Sequence, residues 1–239
     1  MRGKLNNANE PGGPLFTVRA VGETLVLSLM RRCNVVSWAP LHGGFRSDVA
    51  HLLVHSVGDT EALRSRGSRL RQAVGRVGLK GTVVGMMTTG DPIHYSIGNA
   101  AEGDLSVCAI SVLDDRKVSE LKRVGAHDSP ALAGSTCLVL ILNQHLSHEA
   151  MLEATSIATE VKVRALVQQE AKGAEASQRL GANSMDCVAV AAEDHRHRHY
   201  TGSHAALVRL IASACRESLR AGESNSIAKA TQAGVRGSS

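Results

Sequence analysis

The stretch Ala158-Thr159-Glu160-Val161-Lys162 sets an acid and an amine two positions apart, in a segment that is otherwise apolar on much of its surface. On a helix, residues two apart do not face each other, so Glu160 and Lys162 do not form a helix-stabilising ion pair and point into different surroundings. Two readings stay open: a pair of solvated charges, or members of a site. Farther along, Gly181 to Asp186 precedes an apolar run and Tyr200-Thr201-Gly202-Ser203-His204 precedes a helical period. Asp186, Ser203 and His204 therefore stand at the ends of regular elements, where a scaffold holds chemistry. An imidazole beside a helix N-terminus has its cationic form disfavoured by the helix dipole, and a neutral imidazole is what a general base requires.

The chain has eleven histidines. His51 and His55 are four apart, which on a helix would place both imidazoles on one face as a metal needs, and His145 and His148 are three apart across an expected helix start. Neither pair has a nearby third ligand, and zinc sites need three or four, so both pairs read as surface or core histidines. Asp194-His195-Arg196-His197-Arg198-His199-Tyr200 would put three histidines on one side of an extended chain. The interleaved arginines would repel a cation, so a solvated loop is expected. Arg64, Arg66, Arg69, Arg71 and Arg76 are spread around a helical wheel, the pattern of a solvated helix more than of a phosphate-binding face. Phosphate-loop, dinucleotide-binding, zincin and nucleophile-elbow motifs are all missing.

These residues must be positioned by a scaffold, and composition bounds it. In 239 residues, 43% hydrophobic and 21% charged is a globular balance. No apolar run is long enough to span a bilayer, and Met1 to Pro14 lacks the pattern of a leader, so neither a membrane span nor a signal peptide is expected. The net charge, 27 − 22 = +5, favours an anionic partner only if concentrated. Aromatic residues are 2% of the chain, too few to stack bases, which counts against a single-stranded nucleic-acid reader. Five cysteines without a C-x-x-C pair fit buried, reduced thiols in a cytoplasm.

Short apolar runs predict strands at Phe16 to Val21 and Thr24 to Met30 (a hairpin around Gly22-Glu23), Cys33 to Trp38, Gly81 to Thr88, Leu105 to Leu113, Thr136 to Leu142 and Cys187 to Ala192. Helical periods predict helices at Thr60 to Val74, Ser147 to Gln169 and His204 to Arg220. The expected architecture is α/β: a single domain over 15–221, a mixed β-sheet with flanking helices, with disordered ends at 1–14 and 222–239.

The order of these segments resembles the adenosylcobinamide amidohydrolase family, enzymes of corrinoid salvage, from about Val21 to Arg220. Val35-Val36-Ser37-Trp38-Ala39-Pro40-Leu41-His42-Gly43-Gly44-Phe45 resembles the family's early strand ending in Ser-Ser-Ala and a Gly-Gly turn. Val84-Gly85-Met86-Met87-Thr88 is similar to its Gly-Met-Met-Thr-Ala strand, and Ala158-Thr159-Glu160-Val161-Lys162 to its Ala-Thr-Glu-Ala-Lys helix. Gly181 to Asp186 and Tyr200-Thr201-Gly202-Ser203-His204 resemble its Gly-Thr-Gly-Thr-Asp and Tyr-Ala-Gly-Thr-His-Thr pair. The chain departs from the family at Ser111-Val112-Leu113-Asp114-Asp115, at Gly134-Ser135-Thr136-Cys137 and at Gly181-Ala182-Asn183-Ser184-Met185-Asp186, where small polar residues are lost.

The resemblance implies a cytoplasmic amidohydrolase that cleaves the aminopropanol amide of adenosylcobinamide to give adenosylcobyric acid, with a corrinoid small molecule as its partner. The assigned catalytic residues are His204 as general base, Asp186 orienting it from about 3 Å at one end of the sheet, Lys162 as oxyanion stabiliser and Glu160 activating water or holding Lys162. The assigned substrate-binding residues are Ser37, also a possible nucleophile, Gly43 and Gly44, which would let backbone approach a bulky ring, and Thr88, Gly202 and Ser203. No metal, cofactor, nucleic acid or membrane is implied, and oligomeric state is not legible. Two alternatives remain: a catalytically impaired corrinoid-binding or regulatory protein of the same fold, and a basic nucleic-acid-binding module supported only by the arginines.

Overall fold

The side chains of consecutive strand residues fall on opposite faces, and in this chain both faces are apolar. The computed structural model describes residues 14–57, 65–113, 136–170, 186–194 and 203–235. Eight strands form one mixed sheet: β1 (Phe16–Val21), β2 (Thr24–Ser37), β3 (Gly44–Ser56), β4 (Thr82–Thr88), β5 (Tyr95–Glu102), β6 (Leu105–Leu113), β7 (Thr136–Leu142) and β8 (Cys187–Glu193). Three helices are described: α1 (Arg66–Val77), α2 (His148–Glu170) and α3 (His204–Val235). The strand order is β4-β3-β2-β8-β7-β6-β5, with β1 paired to β2 outside that path. None of the described helices is long and apolar enough to cross a membrane.

Parity sorts the core. In β7, Leu138, Leu140 and Leu142 pack with Val188, Val190 and Ala192 of β8 beneath α2 and α3, whose Met151, Ala154, Ala158, Ile211 and Ala214 complete that layer. The alternate residues, Cys137, Val139 and Ile141 with Cys187, Ala189 and Ala191, face a second core that they share with Leu52, Val54, Val84 and Met86 of β3 and β4. On the other side of β3 and β4, Leu53, Val83 and Met87 meet Leu70 of α1. The sheet therefore turns back on itself, and the Cys137 thiol donates to the Met87 carbonyl at 3.2 Å across the gap. Helices close both outer faces, because each parallel pair, β3–β4 and β7–β8, needs a crossover connection.

β2 is the bend. It is one strand of 14 residues where the sequence suggests two, because Met30, Arg31 and Arg32 interrupt its apolar pattern and are exposed. Its first half pairs with β1, its second half with β8, and the register with β3 shifts between Ser28 and Val35, as a bulge requires. β3 and β5 were not expected from the sequence, and α3 continues to Val235, past the expected end at Arg220. In β5, Gly98 lies so close to α3 that a Cβ would come 2.2 Å from the Ala214 carbonyl oxygen and 2.5 Å from the Ser218 nitrogen. Gly98→Ala is therefore expected to lower stability by about 1–3 kcal/mol through overpacking, read as a lower urea midpoint at unchanged slope.

Candidate active site

Strand direction decides what meets at one end of the sheet. β7 and β8 are parallel and begin together, and β2 runs antiparallel to β8 with Ser37 opposite Ala189. The starts of β7 and β8 therefore lie beside the end of β2. α2 returns from the far end of β7 across β8, bringing Lys162 to the same place. There the Lys162 Nζ donates to Asp186 Oδ2 at 3.0 Å, with the lysine side chain 5% and the aspartate side chain 25% exposed. Asp186 Oδ1 accepts the Thr136 backbone N–H at 2.8 Å. The Asp186 backbone carbonyl accepts the Trp38 indole N–H at 2.7 Å. The end of β2, the start of β7, the start of β8 and α2 are thus tied through one aspartate.

An ammonium held this far from water is retained only with a partner, since an unpaired buried charge costs several kcal/mol. It keeps further N–H groups beyond the one given to Asp186. The two thiols next to it, Cys137 and Cys187, stand opposite each other in register and face the inner core. Burial pushes the Cys187 thiol up to about 12, the nearby Lys162 ammonium opposing and the Asp186 carboxylate adding to the shift. Burial also raises the Cys137 thiol well above its ordinary value, with Cys187 and Asp186 adding to the shift. Neither is a thiolate at neutral pH, so neither offers a sulfur nucleophile.

The other expected residues fall differently. Glu160 turns outward and pairs with Arg164 at 2.5 Å, both exposed, while Lys162 turns inward. The reading as solvated charges therefore fits Glu160, whereas Lys162 is buried against Asp186. Glu160→Ala is expected to leave stability within about 0.5 kcal/mol, the scale of an exposed helix pair, in a thermal melt, and to leave catalysis unchanged.

His204 does not pair with Asp186. Its Nδ1 lies 3.3 Å from Glu153 Oε2, with the histidine side chain 63% exposed. Glu153 is about 13 Å of helix rise from Lys162. The reason is chain direction: Asp186 precedes β8 and His204 follows it, so the strand's seven residues, roughly 20 Å, separate them. Arg209 of α3 pairs with Glu102, which fixes the start of that helix at the far end of the sheet.

Ser37 is buried, its Oγ accepting the Ala39 N–H at 3.4 Å. Gly43 is dictated by the turn, since a Cβ would sit 2.3 Å from the Ala39 carbonyl oxygen, whereas Gly44, at φ +81°, has nothing within 4 Å of its Cβ position. Thr88 is fully buried, and its Oγ1 accepts the Gly90 N–H at 3.0 Å. The Ser203 carbonyl accepts the N–H groups of Ala206 and Leu207 at the start of α3. Gly202 lies outside the described residues, as do 195–200 of the alternating histidine and arginine segment.

His51 and His55 lie on β3, not on a helix. His51 Nδ1 and Nε2 sit 3.0 Å from Ser28 Oγ and the Lys80 carbonyl, and His55 Nδ1 sits 3.0 Å from Thr24 Oγ1. Among the described residues no cluster of three or more His, Cys, Asp or Glu could hold a metal ion. Trp38 and Thr136, the other partners of Asp186, carry no sequence signal of that role, because the strand directions that bring their ends to the start of β8 are set by the fold.

A sequence model of the family described as "Adenosylcobinamide amidohydrolase" matches residues 15–231. No curated protein matches the chain by sequence. Among solved structures, the PH0078 protein from Pyrococcus horikoshii OT3 superposes with a TM-score of 0.46 at 9% identity, covering 87% of this chain and 82% of that one. A Burkholderia sp. beta-aminopeptidase gives 0.44 at 14% identity, with 90% and 80% covered. An L-aminopeptidase D-Ala-esterase/amidase from Ochrobactrum anthropi gives 0.40 at 11%, with 87% and 82% covered.

Proposed function

The chain belongs to the adenosylcobinamide amidohydrolase family, and on that premise we propose that it hydrolyses the amide joining the aminopropanol arm to adenosylcobinamide, giving adenosylcobyric acid. The observation that carries the reading to particular residues is the nearly buried Lys162 ammonium, held by Asp186 at 3.0 Å. Amide hydrolysis develops negative charge on the carbonyl oxygen, and a fixed donor in a site shielded from water stabilises it most. Lys162 supplies that donor, and Asp186 orients it.

Asp186 also takes a proton from the attacking water. Its Oδ1 is fixed by the Thr136 N–H, and a quarter of its side chain is open to solvent. The water oxygen bonds to the amide carbon, the proton passes on to the amide nitrogen, and the C–N bond breaks to release the amine. Ser37, at the same strand end, is buried and holds the Ala39 N–H, which shapes the turn beside the pair. We propose that this happens in the cytoplasm, where the five buried free thiols would stay reduced.

One observation favours a second reading, a corrinoid-binding protein without turnover: the imidazole expected beside Asp186 sits at the other end of the sheet, with Glu153. Incubating the full chain with adenosylcobinamide separates the two. Formation of adenosylcobyric acid, followed by chromatography and mass spectrometry, supports the amidohydrolase. Binding without product supports the second reading.

A further inference from the structure

Trp38 is the chain's one tryptophan, and it is 48% exposed. Leaving so much apolar ring in water forgoes stabilisation that burial would give, in a chain with five aromatic residues in all. The ring is nonetheless held in place. Its indole N–H is anchored on the Asp186 carbonyl at 2.7 Å. A large ring fixed in one orientation before a ligand arrives loses little freedom on binding.

About half of Trp38 is left open to solvent. Phe45, the other exposed aromatic of this turn, already packs edge-on against His148, with ring centroids 4.1 Å apart at 60°. Gly44, paired with Ser37, has empty space where a side chain would be. Asp186 joins the two functions: its carboxylate holds Lys162 and its carbonyl holds the indole. A large ring with amides at its rim can set one amide against Lys162 while the ring meets the indole. A corrinoid is such a ring, with amide side chains around its edge.

We propose that Trp38 is the platform on which the corrin macrocycle lies, setting affinity for the ring while Lys162 and Asp186 act on the rim amide; this rests on the amidohydrolase reading above.

The test uses cyanocobinamide as a stable binding probe and adenosylcobinamide as substrate. Trp38→Ala is expected to raise Kd and KM about tenfold, the scale of losing one aromatic stacking partner, with kcat within about twofold. Trp38→Phe, which keeps a ring and loses the N–H, is expected to recover most of the affinity. With the unmodified chain, saturating cyanocobinamide is expected to protect Trp38 from oxidation by N-bromosuccinimide, read by mass spectrometry. That measurement stands even if Trp38→Ala does not fold. Tight binding by the unmodified chain without protection, or Kd and KM unchanged in Trp38→Ala, overturns the platform and leaves the amidohydrolase reading intact. A fall in kcat at unchanged KM likewise overturns it, assigning Trp38 to positioning Asp186. No binding of either corrinoid to the unmodified chain overturns both.

Discussion

Lys162→Met is expected to lower turnover of adenosylcobinamide by a factor of about 100 to 1,000, the effect of removing one preorganised oxyanion donor, with the chain still folded. Methionine fills nearly the same volume with a flexible apolar side chain, so the layer beneath α2 keeps its packing. Asp186 keeps the Thr136 N–H, and its side chain reaches water, so losing the ammonium does not strand it. Lys162→Arg is the sharper control. A planar guanidinium cannot take the place of a compact ammonium in a pocket closed around it, so charge alone should restore little. Initial rates by chromatography, with circular dichroism as the check on folding, decide the matter. Turnover of Lys162→Met within threefold of the unmodified chain would remove the oxyanion role.

The same residues show how far a sequence reading reaches. Lys162 and Asp186 were both legible as candidates: one is an amine in an apolar helix, the other an acid at the mouth of an apolar strand. Their pairing was not legible, because element ends say nothing about which end of the sheet they occupy until strand directions are known. Direction also separates His204 from Asp186, since one follows β8 and the other precedes it. Strands with strong apolar runs, such as Thr136 to Leu142, appear with the expected bounds. β3 does not look like a strand because its first five residues are exposed, Asp48 stands at φ +55°, and its histidines suggested a helix face. β5 is hidden for a packing reason: α3 passes so close that Gly98 must lack a side chain, and small residues carry little strand propensity.

Asp186→Ala is expected to cost about 3–5 kcal/mol of stability, more than any change at Lys162, because it leaves a nearly buried ammonium without a counter-charge. It also removes the acceptor of the Thr136 N–H. Asp186→Asn keeps an acceptor of the same shape and should cost less. The double variant Lys162→Met with Asp186→Asn carries no buried charge, so its stability is expected to return to within about 1 kcal/mol of the unmodified chain, against a sum of single losses that is larger. Urea unfolding of all four proteins measures the coupling, and strictly additive losses would show that the two side chains do not depend on each other. A buried ion pair that apolar and neutral groups can replace at no cost is weak evidence for stability. If the double variant is stable yet inactive, the fold does not require the pair, and the ammonium and the carboxylate are kept for what they do to a substrate.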